Sequence, residues 1–203
     1  MSAAISQTTE RVPLHAGIWA KEGLGFYIEP EWCSKRLFAV EDFAPTIYDP
    51  ACGSGRILSA ARDAGYSTLG SDIIERAQLD NFVLRDFLTW HGPIDRTWSV
   101  VCNPPFDHAQ EFCEQALYLS ARKVAMITLM RRLNAAGKWL RDLPLARVYL
   151  LTPRPSMPPG HVIAAGEKPG GGTQDFAWIV FAREHRGPPE LRWLYRDGGH
   201  AED

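Results

Sequence analysis

A chain of 203 residues, 45% hydrophobic and 23% charged, holds enough apolar material for one ordinary domain with a substantial core. A formal net charge of −2 excludes a uniformly basic, non-specific nucleic-acid binder, and no apolar run reaches membrane-spanning length. The opening MSAAISQTTERVPLH lacks the apolar centre of a secretory signal, so the expected location is cytoplasmic.

Short apolar runs alternate with amphipathic stretches, the pattern of an α/β fold. In chain order, a helix is expected over 32–40, with Trp32, Leu37 and Val40 facing inward. A strand over 46–48 ends at Asp49, a helix over 56–64 is stopped by Gly65, and a second strand covers 67–70. A helical turn near 74–78 and a weak strand over 82–84 follow. The strand over 98–102 is apolar, β-rich and cut off by Asn103-Pro104-Pro105. A helix over 109–120, a strand over 124–128, a helix over 131–142 and strands over 148–151 and 176–181 complete the set. The whole predicts a doubly wound, mostly parallel seven-stranded sheet in a single domain over 25–183, behind an N-terminal extension, 1–24. The stretch 153–174 carries five prolines and the run Gly170-Gly171-Gly172, and reads as a long flexible loop inserted before the last strand. The tail, 184–203, is expected to fray.

Two constellations carry chemistry. Asp49-Pro50-Ala51-Cys52-Gly53-Ser54-Gly55 lies between a strand and a helix, where glycines let backbone approach a ligand and the helix start offers free N–H groups. An acid at the strand end suits a ligand with an amino group. Asp72 follows the next strand, where such folds hold ribose hydroxyls. The third glycine of a dinucleotide fingerprint is absent, which argues against a nicotinamide oxidoreductase. The second constellation is Val100-Val101-Cys102-Asn103-Pro104-Pro105-Phe106. Its prolines hold the chain extended and lack N–H donors, so carbonyls stay free to accept. Asn103 adds a side-chain carbonyl and Phe106 a flat apolar face. An exocyclic amine on a planar base needs both: acceptors for its hydrogens and a ring to stack on.

Other residue types say less. Cys33, Cys52, Cys102 and Cys113 have no metal or disulfide spacing and read as reduced, buried thiols, and the six histidines are scattered, so no metal site is expected. Between Arg122 and Arg154, eight cations face only Asp142, a local net of +7 in a nearly neutral chain. That segment is either a solvated helix face or a phosphate-binding surface.

Taken together, Asp49–Gly55, Asp72, Arg85-Asp86-Phe87-Leu88 and Asn103–Phe106 resemble the class I S-adenosylmethionine-dependent amino-methyltransferases, and most closely the DNA adenine-N6 methyltransferases of the Asn-Pro-Pro-Phe type. The upstream Phe26-Tyr27-Ile28-Glu29-Pro30 is similar to the aromatic-x-Thr-Pro segment of those enzymes, with Glu29 in place of the threonine. The resemblance covers residues 25 to 130. It implies a Rossmann-like methyltransferase fold, S-adenosylmethionine as cofactor, and transfer of methyl to an exocyclic amine. The Asn-Pro-Pro-Phe signature is shared with enzymes acting on RNA adenine N6 or guanine N2, and a relative with Tyr at its end acts on protein glutamine. A catalytically inactive cofactor- or nucleic-acid-binding module is the non-enzyme alternative.

Carried onto this chain, the resemblance implies cofactor binding by Tyr27, Pro30, Asp49, Pro50, Gly53, Gly55, Asp72, Ile73, Asp86, Phe87 and Asn103. Asp49 meets the methionine amino end, Asp72 the ribose, and Asp86 with Phe87 the adenine. Asn103, Pro104, Pro105 and Phe106 form the catalytic set, with Asn103 and the Pro104 carbonyl accepting from the target amine and Phe106 stacking on the base. The chain leaves no room for a large target-recognition domain. Nucleic acid, DNA ahead of RNA, is the expected substrate, read by Arg131, Arg132 and Arg154 or with a partner subunit or second copy.

Overall fold

The computed structural model describes residues 26–92, 97–119, 121–166 and 170–198; the expected N-terminal extension lies outside them. Eight strands form one sheet: β1 Thr46–Asp49, β2 Ser67–Asp72, β3 Phe82–Leu84, β4 Trp98–Cys102, β5 Lys123–Leu129, β6 Leu145–Thr152, β7 Phe176–Ala182 and β8 Glu190–Tyr195. Their order is β3-β2-β1-β4-β5-β7-β6-β8. β3 through β5 run parallel, whereas β7 is inserted antiparallel between β5 and β6.

Alternation along the strands splits the core into two layers, because successive side chains leave opposite faces. Val101, Ile127 and Trp178 pack on one face with helix α1, Glu31–Val40, and helix α2, Arg56–Asp63. Val100, Met126 and Ile179 pack on the other with helix α3, Ala109–Tyr118. Helix α4, Met130–Leu140, follows β5 directly, and its Trp139 stacks on Phe181. In α1 the inward positions are Cys33, Ser34, Leu37 and Phe38, while Val40, expected inside, is 42% exposed.

Several further local readings differ from the structure. The sheet has an eighth strand: β8, in the expected tail, pairs in parallel with β6 from Arg147↔Glu190 to Thr152↔Tyr195 and buries Leu194. Residues 74–78 form bends rather than a helical turn, because Asp72 accepts from the Ile74 amide and pulls Arg76 back onto itself. β2 runs on to Asp72, two residues past its expected end. The stretch 153–174 also holds regular structure, helix α5 over Gly160–Ala164. It is tied to the chain upstream of α1: Ile28 N donates to Pro158 O, Gly160 N donates to Phe26 O, and Tyr27 bridges Pro159. Prolines cannot donate to such pairing, but their carbonyls accept.

Candidate active site at the carboxyl edge of the sheet

Because β2 and β3 extend to one side of β1 while β4 and β5 extend to the other, the loops after β1 and β4 part above the sheet. Such a switch point in an open α/β sheet opens a crevice at the carboxyl ends of the strands. Here it is a cavity of about 250 Å³, walled by the ends of β1, β2 and β4 and by residues 26–29.

The loop after β1 is built on unusual backbone. Gly53 and Gly55 hold φ of 50° and 80°, the left-handed region where a Cβ is strained. A Cβ on Gly53 would also lie 2.4 Å from the Phe26 ring, and one on Gly55 2.7 Å from Leu79. Asp72 fixes this loop from β2. Its Oδ2 accepts from Gly53 N at 2.9 Å, and its Oδ1 accepts from Ile74 N at 3.1 Å and Arg76 Nη1 at 2.8 Å. Arg76 sits over the Phe26 ring, 4.4 Å from its centroid. Asp49 is 1% exposed and accepts from the Ala51 amide at 3.0 Å. Burial raises its carboxyl well above the usual range, and the nearby charges of Glu29 and Asp72 add to the rise.

Asn103 caps the end of β4. Its Nδ2 donates to Tyr27 O at 2.9 Å and to Glu29 Oε2 at 3.0 Å. Both amide hydrogens face acceptors, so the orientation of the amide is determined and Oδ1 is left as the acceptor. Burial pushes the Glu29 carboxyl up to about 7, outweighing its backbone hydrogen bond, the bond from Asn103 and the charge of Arg56. Phe106 stacks against Tyr27 with centroids 6.2 Å apart and planes 14° off parallel, and leans on Phe176.

Nine of the eleven expected cofactor residues line this cavity: Tyr27, Asp49, Pro50, Gly53, Asp72, Ile73, Asp86, Phe87 and Asn103. Pro30 and Gly55 do not; Pro30 precedes α1 and Gly55 precedes α2 as their caps. Of the catalytic set, Asn103 and Pro105 line it, Pro104 is buried, and Phe106 stands beside it against Tyr27. Phe87 is fully enclosed, packed on Tyr48 and Phe112, while Asp86 accepts from the Leu88 amide. The three arginines are outside the cavity wall, each engaged locally. Arg132 donates to Phe106 O and Asp107 at 2.7 Å, Arg131 to Gln174, and Arg154 pairs with Asp175 at 2.6 Å. All four cysteines are buried and free. Sequence reasoning did not assign Glu29, Arg56 and Arg76 to the wall. An acid where the resemblance expects threonine was the signal for the first.

No known protein-family model matches the chain, and no curated protein does. Solved structures do. A candidate RNA methyltransferase from Pyrococcus horikoshii superposes with a TM-score of 0.52 at 13% identity, over 74% of this chain and 81% of that one. Magnesium protoporphyrin IX methyltransferase from Synechocystis PCC 6803, solved with S-adenosylmethionine bound, gives 0.51 at 16% identity, over 76% and 79%. The 23S rRNA methyltransferase ErmE gives 0.51 at 14% identity, over 81% and 71%. The chain has the Rossmann-like methyltransferase fold. At these identities the likeness is one of fold. No helix of the described residues is long and apolar enough to cross a membrane.

Proposed function

We propose that the chain is an S-adenosylmethionine-dependent methyltransferase acting on an exocyclic amine, with adenine N6 in DNA the favoured target. The observation that carries this reading is Asn103. Its amide nitrogen is tied down by Tyr27 and Glu29, so its oxygen is a pre-set acceptor at the rim of an acidic cavity.

The cavity suits the cofactor on its own chemistry. Asp49 and Glu29 are buried carboxylates, which want a cation, and the cofactor brings an ammonium and a sulfonium. Ile73, half exposed, offers apolar wall to a planar ring, and Asp86 and Phe87 line the cavity with it. When bound, the cofactor supplies an electrophilic methyl group.

The residues do the rest. An aromatic amine has its lone pair delocalised into the ring and is a poor nucleophile. Asn103 Oδ1 and the Pro104 carbonyl accept its two hydrogens, which favours a pyramidal nitrogen and stabilises positive charge as the N–C bond forms. Phe106 supplies the face on which the base stacks, backed by Tyr27. Holding nitrogen in line with the methyl group contributes on the order of 7–11 kcal/mol. The surplus proton leaves the product amine for solvent.

Arg131, Arg132 and Arg154 supply the phosphate contacts. The acidic partners of Arg132 and Arg154, Asp107 and Asp175, are exposed, and exposed ion pairs are worth only about 0–1 kcal/mol, so exchanging them for phosphate is cheap. The test is transfer of a tritiated methyl group to unmethylated genomic DNA, total RNA and protein extract side by side, followed by nucleoside analysis. Label recovered as N6-methyladenine in DNA supports the reading. Label confined to RNA moves the substrate and keeps the chemistry, and label confined to protein overturns the nucleic-acid assignment.

A further inference from the structure

Glu29 has a carboxylate where the resemblance expects a threonine hydroxyl, and its bond to Asn103 does not need the charge. The side chain is 5% exposed and forms part of the cavity wall. Four elements bring charged or titratable groups to it: the Cys33 thiol from α1, Asp49 from β1, the Arg56 guanidinium from α2 and the Cys102 thiol from β4, beside Asn103. Burial pushes both thiols up, so they carry no charge near neutral pH. Asp72 is neutralised by Arg76 at 2.8 Å. Arg56 is then the one cation near two buried carboxylates among the described residues, and its Nη1 donates to the Glu29 backbone carbonyl at 3.3 Å. With both carboxylates ionised, this end of the cavity would hold one negative charge more than Arg56 balances, so a cationic ligand is what favours their ionised forms.

We propose that Glu29 is a charge-selecting residue: with Asp49 it makes the cavity prefer the cationic sulfonium of S-adenosylmethionine to the neutral thioether of S-adenosylhomocysteine. The proposal rests on the cofactor reading above and deepens it. The two ligands share their ammonium, carboxylate, ribose and adenine. They differ by one methyl group and one positive charge, so a buried unbalanced carboxylate is the kind of group that separates them. The preference weakens product inhibition, because methyl transfer itself removes the charge that Glu29 holds.

A linked proton follows. With its carboxyl near 7, Glu29 is partly protonated at pH 6.5, and a cation favours the ionised form. Arrival of the sulfonium therefore drives a proton from the Glu29 carboxyl to the buffer, and cofactor affinity rises with pH until Glu29 is already ionised.

Titration calorimetry on the full chain tests this at pH 6.5 in two buffers of different ionisation enthalpy. Wild type, Glu29→Gln and Glu29→Thr are each titrated with S-adenosylmethionine and with S-adenosylhomocysteine. Glutamine keeps an acceptor for Asn103 and removes only the charge; threonine restores the residue the resemblance expects, and thermal melts check that both variants fold. Wild type is expected to prefer the sulfonium ligand and to release more protons on binding it than on binding the thioether. Each variant is expected to lose about tenfold in affinity for the sulfonium ligand and less than about threefold for the thioether, with the difference in proton release reduced to what Asp49 contributes. Equal losses for both ligands, or no loss for either, overturn the proposal. A wild-type chain that binds neither ligand overturns the cofactor reading instead.

Discussion

Asp72 offers a sharp test of how the cavity is held together. Both of its oxygens are engaged by the protein: Gly53 N on one, Ile74 N and Arg76 Nη1 on the other, at 2.8 to 3.1 Å. The group is 7% exposed, and the Arg76 side chain it pairs with is 16% exposed. Asp72→Asn conserves shape yet cannot satisfy this arrangement, because one amide end is a donor and must face either the Gly53 amide or the Ile74 amide with Arg76. Hydrogen bonds to a charged group contribute about 1.5–3 kcal/mol each, and breaking a buried pair by changing one partner costs about 3–5 kcal/mol. Arg76 retains its contact with Phe26, which softens the loss. We expect Asp72→Asn to lower unfolding free energy by about 3 kcal/mol, read by urea denaturation at pH 7. In the fraction that folds, cofactor affinity measured by calorimetry falls at least about tenfold, since the Gly53 loop loses its anchor. A folded variant within about 0.5 kcal/mol of wild type would refute the argument, because surface positions without such partners behave that way.

Three further outcomes follow from other sites. Asn103→Ala is expected to lower methyl transfer by about 100-fold or more in single-turnover assays while calorimetric cofactor affinity stays within a few fold, as for loss of one preorganised polar group; retained turnover would remove the amine-acceptor role. Glu41 is 4% exposed and bonded by Arg147 at 2.6 Å, by Tyr149 at 2.9 Å and by Lys123; burial raises its carboxyl, but these partners outweigh it and hold the pKa below the ordinary 4.5. A depressed folded pKa stabilises above 4.5 and is lost as pH falls through the folded value, so Glu41→Gln should cost about 3 kcal/mol at pH 7 in urea melts and progressively less below pH 4.5. Replacing Arg131 and Arg132 by Ala should weaken nucleic-acid binding alike across sequences and flatten its salt dependence by about one unit of slope per lost contact, measured by titration at several salt concentrations; an unchanged slope rejects these two as phosphate contacts.

What was legible in the residues was local. Apolar runs of strand length cut by Asp49 or by Asn103-Pro104-Pro105 located β1 and β4, since a proline ends a strand wherever the chain later goes. The glycines of the 49–55 turn could be read the same way, because a left-handed φ is a property of one residue and its neighbours. Composition misled where long-range pairing overrode it. The proline-rich 153–174 stretch is held by carbonyls that accept from Ile28 and from within α5, and β8 is a strand because β6 offers it an edge. The bond from Asn103 to Glu29 spans 74 positions of chain and brings an acid to the amide at the end of β4. No periodicity encodes such a contact. It arises when the sheet order sets β4 beside β1 and folds residues 26–29 across both, and burial then raises an ordinary carboxyl to about 7. Hydrogen-bonding propensity is written along the chain, but desolvation and charge balance are properties of the assembled cavity.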